Sequence, residues 1–303
     1  MGVQKKTILV FLLLLFLVLA VTAFFSLRGS EAGTAYAGGA SAGIITFFLA
    51  GIFLVSGAAV LYQRRKKWYG APEHFYFPAA VCIGCAMIAL LPAWNINDFG
   101  KHFGAAWHYA NRLSGIGSDE DFMLTIREGD TATVRDVFFE EGENFYSPTA
   151  RSYRNVADGL FAPCESNRNV LYEIDSPRSS GMSFYSAWNY IPFIATFALL
   201  RPTGIGMVGL LTLGRICALL LYSSAIFHAI KRMPLPQGKW LMALLAILPV
   251  NMMNLTALTY DGVVFAASCL LISSILHLKC LQDAEVGRRD VAELLLSAFL
   301  LAA

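Results

Sequence analysis

The feature that most constrains this chain is the long apolar run from Ile205 to Ile230, in which Arg215 is the only Lys, Arg, Asp or Glu. A helix rises 1.5 Å per residue, so about 20 apolar residues cross the roughly 30 Å hydrocarbon core of a bilayer. Hydrophobic residues make up 56% of the chain and charged residues only 15%. Soluble domains carry about 25% charged residues. We therefore predict an integral membrane protein.

Charge is distributed unevenly along the chain. Residues 96–186 contain 8 Lys and Arg against 14 Asp and Glu, a formal charge of −6 in a chain whose total is +2. The remainder carries +8, and excess Lys and Arg in short loops marks the cytoplasmic side of a membrane. We expect a multi-pass protein of the cell membrane with a cytoplasmic N-terminus and an extracytoplasmic segment at 95–186. Nucleic acid is not an expected partner, because no basic patch is interleaved with aromatic residues.

This pattern predicts an all-α polytopic membrane protein with about six full transmembrane helices plus a truncated seventh. The predicted domains are an N-terminal membrane part at 1–94, an acidic loop domain at 95–186 and a C-terminal membrane part at 187–303. The predicted full spans are Thr7–Phe25, Gly43–Leu61, Phe77–Trp94, Ile205–Ile230, Trp240–Leu258 and Val263–Leu281. The last apolar run, at 291–303, has 13 residues. A span needs roughly 17–25, and we expect this helix to continue beyond residue 303.

The short apolar stretch Phe184–Leu200 decides the predicted topology. Pro192 interrupts it, and aromatic residues cluster at its start, as they do at membrane interfaces. If this stretch crossed the bilayer, the basic loop Lys231–Lys239 and the loops after it would face the wrong side. A re-entrant or interfacial helix keeps these loops in the cytoplasm, and we predict that geometry.

Two polar residues just after the third predicted span are the first candidates for a site. Asp98 and His102 have the i, i+4 spacing that places two side chains on one face of a helix. A carboxylate beside an imidazole can act as a general base, or the acid can hold a divalent metal. The plain alternative is a solvated acid beside a surface histidine.

Two further residues lie in or beside the later spans. Arg215 lies about eleven residues into its span, or roughly 16 Å deep. A cation at that depth costs at least ~2.5 kcal/mol and normally faces a partner or a cavity. It is expected to meet a lipid phosphate, a buried acid or a main-chain carbonyl. Asp261 follows Tyr260 in a predicted outer turn, where it either serves the turn or faces the same cavity as Asp98.

Several short motifs, taken in chain order, resemble one known family. They are Asp98-Phe-Gly-Lys-His102, Tyr185-Ser-Ala-Trp-Asn-Tyr190-Ile-Pro192, Leu213-Gly-Arg215, Met233-Pro-Leu-Pro236, Leu248-Pro249 and Leu258-Thr-Tyr260-Asp261. Their order resembles bacterial membrane proteins of the domain-of-unknown-function 2142 family, which belong with the GT-C glycosyltransferases. The resemblance covers residues 78–281, and Phe99 stands where the family's first box has a second acid.

This resemblance implies a GT-C-like fold and an integral-membrane glycosyltransferase that modifies cell-envelope glycans at the outer face. The donor would be a sugar on a polyprenyl phosphate, held among membrane lipids. Asp98 would be the catalytic base or hold a divalent metal, with His102 in support, and Arg215 would steady the phosphate. The remaining substrate-binding residues would be Tyr190, Tyr260 and Asp261. The alternative functions are a transporter or flippase of lipid-linked saccharides, and a non-catalytic membrane protein.

Overall fold

A computed structural model describes residues 71–96, 98–116, 123–139, 150–173, 186–281 and 286–302. The helices are α1 (Pro72–Leu90), α2 (Phe99–Leu113), α3 (Ala150–Gly159), α4 (Ile191–Leu200), α5 (Met207–Arg232), α6 (Pro236–Ala246), α7 (Pro249–Thr256), α8 (Asp261–Cys280) and α9 (Arg288–Ala302). The strands are β1 (Met123–Arg127) and β2 (Asn169–Glu173). The predicted spans Thr7–Phe25 and Gly43–Leu61 lie outside the described residues.

Three helices are long and apolar enough to cross a membrane, namely α1, α5 and α8, with 19, 26 and 20 residues. They lie where three of the spans were predicted. Helix α5 is central, because α1, α4 and α8 all pack against it. Small residues allow this close approach: a Cβ at Gly84 of α1 would overlap the Leu219 side chain, and one at Gly214 would lie 2.7 Å from the Phe193 ring. Such contacts replace the hydrophobic driving force that is missing between helices in lipid.

The predicted span Trp240–Leu258 is not one straight helix. It is broken into α6 and α7, which are bent by 68° at Ile247 and Leu248. Pro249 explains the break, because proline has no N–H to donate and disfavours helical geometry at the residue before it. If the bent pair is taken as one span, the described residues contain up to 4 spans. Four of the six predicted spans fall in this part of the chain, and the total of six stays a prediction.

The stretch predicted to be interfacial forms α4, which has only 10 residues. At 1.5 Å per residue it is about 15 Å long, half the thickness of a bilayer core. Helix α4 is therefore not among the described helices that are long enough to span a membrane, and its re-entrant or interfacial position stays a prediction. Helix α9 has 15 residues and packs against α8.

The acidic segment contains a small antiparallel sheet, so the prediction of an all-α protein is wrong in this detail. Leu124 of β1 is opposite Tyr172, and Ile126 is opposite Val170. The two β1 side chains are completely buried, while Leu171 between their partners is 61% exposed. In β2 the exposed Leu171 alternates with the partly buried Val170 and Tyr172, as expected for a strand with one face toward the protein. Strand β1 is buried on both faces, since Thr125 is only 5% exposed. Both strands are too short to separate from loops in the sequence.

A buried ion pair joins this sheet to α5. Arg127, at the end of β1, donates from Nε to Asp130 at 2.6 Å, and both side chains are almost fully buried. The other carboxylate oxygen of Asp130 accepts a hydrogen bond of 3.0 Å from the amide of Met207, the first residue of α5. An acid in this position satisfies an amide that has no partner within the helix, and it interacts favourably with the helix dipole. The first turn of α5 is thereby anchored in the acidic segment.

Candidate functional site

Five of the six residues predicted to form the site lie in three segments that converge at one end of the helix bundle. Asp98 and His102 lie just before and within the first turn of α2, Tyr190 precedes α4, and Tyr260 and Asp261 lie just before and at the start of α8. The rings of His102 and Tyr260 are 5.4 Å apart, and the Nδ1 atom of His102 lies 2.6 Å from the hydroxyl of Tyr190. The carboxylates of Asp98 and Asp261 both act electrostatically on His102. We call these five residues the Asp98 cluster.

Asp98 lies immediately before α2, at its N-cap, and its carboxylate acts electrostatically on His102 one turn later. Its backbone is left-handed, with φ of 57°, and no other non-glycine residue in the described part of the chain has a positive φ. Its main-chain oxygen accepts from the amides of Lys101 and His102 at 3.1 and 3.2 Å. The side chain is 44% exposed and forms an ion pair of 3.1 Å with Lys101. The carboxylate is therefore accessible and has a cation beside it.

His102 and Tyr190 form the buried floor of the cluster, and the acids and Tyr260 form its exposed rim. His102 is 4% exposed and Tyr190 is completely buried, whereas Tyr260 is 39% exposed. Burial lowers the pKa of His102 to about 4, although the Asp98 and Asp261 carboxylates act in the opposite direction. His102 is therefore neutral near pH 7. In its contact with Tyr190, either the phenol or the ring nitrogen donates, depending on the tautomer.

Tyr222 of α5 packs beneath this cluster and was not among the predicted site residues. The Tyr222 ring of α5 packs against Gly262, where a Cβ would lie 2.9 Å from ring carbon Cε2. The Tyr222 hydroxyl donates a long hydrogen bond of 3.5 Å to the main-chain oxygen of Asn189. One side chain thus contacts the residue after Asp261 and the residue before Tyr190. Glycine directly after Tyr260-Asp261 was the only signal of this close contact in the sequence.

Arg215, the sixth predicted residue, contacts main chain. Its Nε donates to the oxygen of Thr256 at 2.8 Å, and its Nη1 donates to the oxygen of Ile88 at 3.3 Å. These oxygens belong to the last turns of α7 and α1. The expected depth of roughly 16 Å was counted from the start of the apolar run. That depth stays a prediction. Of the three kinds of partner expected for Arg215, the structure shows the main-chain carbonyl.

Asp98 was named in the sequence analysis as a candidate ligand of a divalent metal. Within the described residues, no group of three or more His, Cys, Asp and Glu side chains is arranged to hold a metal ion. His102 uses Nδ1 in its contact with Tyr190, and Asp98 is engaged with Lys101. The described side chains therefore do not fit a metal site built from protein ligands alone, and we derive no step through a metal.

No curated protein and no solved structure matches the chain. Residues 164–303 match a family model, so Tyr190, Arg215, Tyr260 and Asp261 fall inside the matched part, while Asp98 and His102 precede it. Together with the apolar helices, the match supports a location in a membrane. From residue 164 to residue 303 the chain is similar to the family described as "Predicted membrane protein (DUF2142)", which supports the predicted resemblance over that part.

Proposed function

We propose that this protein is an integral-membrane glycosyltransferase that takes a sugar from a polyprenyl phosphate at the outer face of the cell membrane. The observation that carries the proposal is the convergence of the Asp98 cluster from three segments distant in sequence. An exposed acid with a cation beside it, at one end of apolar helices, suits a reaction between a lipid-linked donor and a polar acceptor. The charge pattern of the chain favours the outer face for this end.

In the proposed reaction the acceptor hydroxyl attacks the anomeric carbon of the donor sugar. The bond between that carbon and the phosphate oxygen breaks, and the polyprenyl phosphate leaves with the bonding electron pair. The hydroxyl proton passes to the carboxylate of Asp98, which acts as general base and contributes typically 10²–10⁴-fold. Lys101, 3.1 Å from Asp98, provides positive charge next to the reacting groups, where electrostatic stabilisation of a phosphate leaving group is most effective.

His102 has a supporting role in this proposal. A neutral imidazole with a pKa of about 4 is a poor base at pH 7, but it is a good hydrogen-bonding support. It holds Tyr190 through Nδ1 and packs edge-on against Tyr260. Tyr260 and Asp261, on the exposed rim, are the groups proposed to contact the substrate.

The experiment uses the full chain in lipid nanodiscs with polyprenyl-phosphoryl-[14C]glucose and, separately, polyprenyl-phosphoryl-[14C]mannose. Release of polyprenyl phosphate is measured with and without an extract of cell-envelope glycans as acceptor. We expect Asp98→Asn to lower the rate by about 100-fold or more, because an amide accepts no proton.

Asp158→Asn is the matched control. Asp158 is an exposed acid of α3 outside the cluster, and its variant should keep the wild-type rate. A wild-type rate for Asp98→Asn would remove this acid from the mechanism. Absence of any release with either donor, in the presence of the extract, would count against the proposed activity itself.

One observation favours a second function, a transporter or flippase for lipid-linked saccharides. The bent pair α6 and α7 is a discontinuous helix, and such helices form substrate sites in many transporters. The two functions make different predictions for proteoliposomes loaded with fluorescent polyprenyl-phosphoryl sugar. A flippase moves the intact lipid to the other leaflet without an acceptor, whereas the proposed transferase consumes it only when acceptor is present.

A further inference from the structure

Arg215 lies where two helices end, and each of those helices leads into the Asp98 cluster. Thr256 is the last residue of α7, and five residues later the chain reaches Asp261. Ile88 is in the last turn of α1, and ten residues later the chain reaches Asp98. One guanidinium group therefore contacts both main-chain segments that deliver the acids of the cluster.

The two carbonyls need an external donor. In a continuing helix the oxygen of Ile88 would accept from the amide of residue 92, but residue 92 is proline and has no N–H. The oxygen of Thr256 lies at the end of α7, where the helix supplies no further amide. A cation at these two C-terminal ends also interacts favourably with both helix dipoles. The planar fork of arginine can reach two acceptors at once, which a lysine ammonium does less well.

Arg215 is poorly placed to meet a lipid phosphate directly. Its side chain is 3% exposed, and Nη2, the third nitrogen, is enclosed without a hydrogen-bond partner among the described residues. A phosphate could reach Nη2 only if the groups that enclose it moved apart. The two other nitrogens are occupied by main-chain oxygens.

We infer that Arg215 is a positioning residue, which fastens the ends of α1 and α7 to α5 and so holds Asp98 and Asp261 in register, without contacting the donor. This inference rests on the proposed function for its effect on turnover. The fastening itself does not depend on that function, and it can be tested without any substrate.

The first measurement is hydrogen–deuterium exchange of the full chain in nanodiscs, for wild type and Arg215→Gln. Loss of hydrogen bonds to a charged group should raise exchange by about tenfold in peptides that cover 87–96 and 254–261. The matched control is Arg232→Gln, at the other end of α5, where Arg232 pairs with Asp290 and Glu293 of α9. That variant should raise exchange near α9 and leave exchange in peptides 87–96 and 254–261 unchanged.

The variant Arg215→Lys distinguishes the effect of the positive charge from the effect of the guanidinium group, which can donate to two acceptors at once. A single ammonium keeps the positive charge but is expected to protect one of the two peptides at most. If Arg215→Gln raises exchange evenly along the chain, Arg215 is a general stabiliser and the inference is wrong. If exchange does not change in either peptide, Arg215 does not fasten the two helix ends and the inference is also wrong.

The second measurement is binding of fluorescent polyprenyl phosphate without a sugar, together with kcat and KM for the donor. A positioning residue predicts that Arg215→Gln binds the sugar-free lipid within about twofold of wild type, while kcat is reduced at least tenfold, a change that exceeds any change in KM. A tenfold loss of lipid binding with unchanged exchange would instead make Arg215 a phosphate ligand and overturn the inference. If wild type shows no turnover, the proposed function fails, while exchange still decides whether Arg215 fastens the helices.

Discussion

At the scale of single residues, the burial of His102 has a measurable consequence. An unperturbed histidine binds a proton below about pH 6.5, whereas His102 in the folded protein has a pKa of about 4. Between these two values the unfolded state binds more protons than the folded state. The free energy of unfolding therefore falls as the pH is lowered from 6.5 to 4, by a contribution on the order of 2–3 kcal/mol.

We predict that His102→Gln makes unfolding less sensitive to pH in this range, because a glutamine can still bond to Tyr190 but does not titrate. The measurement is the thermal unfolding midpoint in detergent at several pH values between 4 and 7. His108→Gln is the control, since His108 lies on the same helix and is only half-buried. Parallel pH profiles for wild type and His102→Gln would contradict the prediction.

At the scale of elements, the junction between β1 and α5 depends on one buried ion pair. Burial raises the pKa of Asp130, even though Arg127 and the Met207 amide both favour its charged form. Removing one partner from such a pair leaves the other charge buried and uncompensated, which costs about 3–5 kcal/mol. Arg127 additionally donates to the main-chain oxygens of Arg201 at 2.9 Å and Ile205 at 2.6 Å. It thus holds both ends of the connection between α4 and α5.

Asp130→Ala should therefore lower the free energy of unfolding by about 3–5 kcal/mol. The chain contains its own control, because Asp136 pairs with Arg135 at 2.6 Å in a pair that is 62% and 36% exposed. Exposed pairs contribute about 0–1 kcal/mol, so Asp136→Ala should be nearly neutral. Denaturant unfolding in mixed micelles measures both variants. Equal losses for the two variants would show that burial is not what gives the Asp130 pair its importance.

Sequence patterns predicted these elements unequally. The candidate spans were predicted because an apolar run of about 20 residues has few alternatives to a membrane helix. The sheet was missed because each strand has five residues and its partner lies far along the chain. The residues of the Asp98 cluster were named from the sequence, and one of the two alternatives for Asp261 placed it with Asp98, but the contacts within the cluster were not predicted. The left-handed backbone of Asp98 and the packing of Tyr222 on Gly262 arise from tertiary structure, which leaves little trace in a single sequence.

At the scale of the whole molecule, charged side chains lie at opposite ends of α5. The Asp98 cluster and the sheet lie toward the Met207 end, while at the other end Arg232 pairs with Asp290 and Glu293 of α9. Arg232 is thus paired with acids within the protein. This pairing joins the start of α9 to the end of α5.

The proposed orientation predicts which end is accessible from outside an intact cell. In a chain with its other cysteines replaced by serine, Glu165→Cys should react with a membrane-impermeant maleimide in intact cells. Glu165 is exposed near the Met207 end, and the native Cys280, exposed at the end of α8, serves as the opposite marker. A chain that retains only Cys280 should react only after permeabilisation. The reverse pattern would place the Asp98 cluster in the cytoplasm and exclude a donor reached from outside.

The left-handed backbone of Asp98 restricts which residue types can occupy this position. A left-handed conformation costs most L-residues roughly 1–2 kcal/mol, while Gly adopts it freely and Asp and Asn tolerate it. Of these three tolerated types, only aspartate is an acid. Glutamate would keep the charge but lose the backbone preference, and alanine would lose both. The left-handed main chain and the proposed chemistry thus both favour aspartate at this position, for separate reasons. Asparagine and glycine distinguish the two reasons, because both fit the backbone but neither carries a carboxylate.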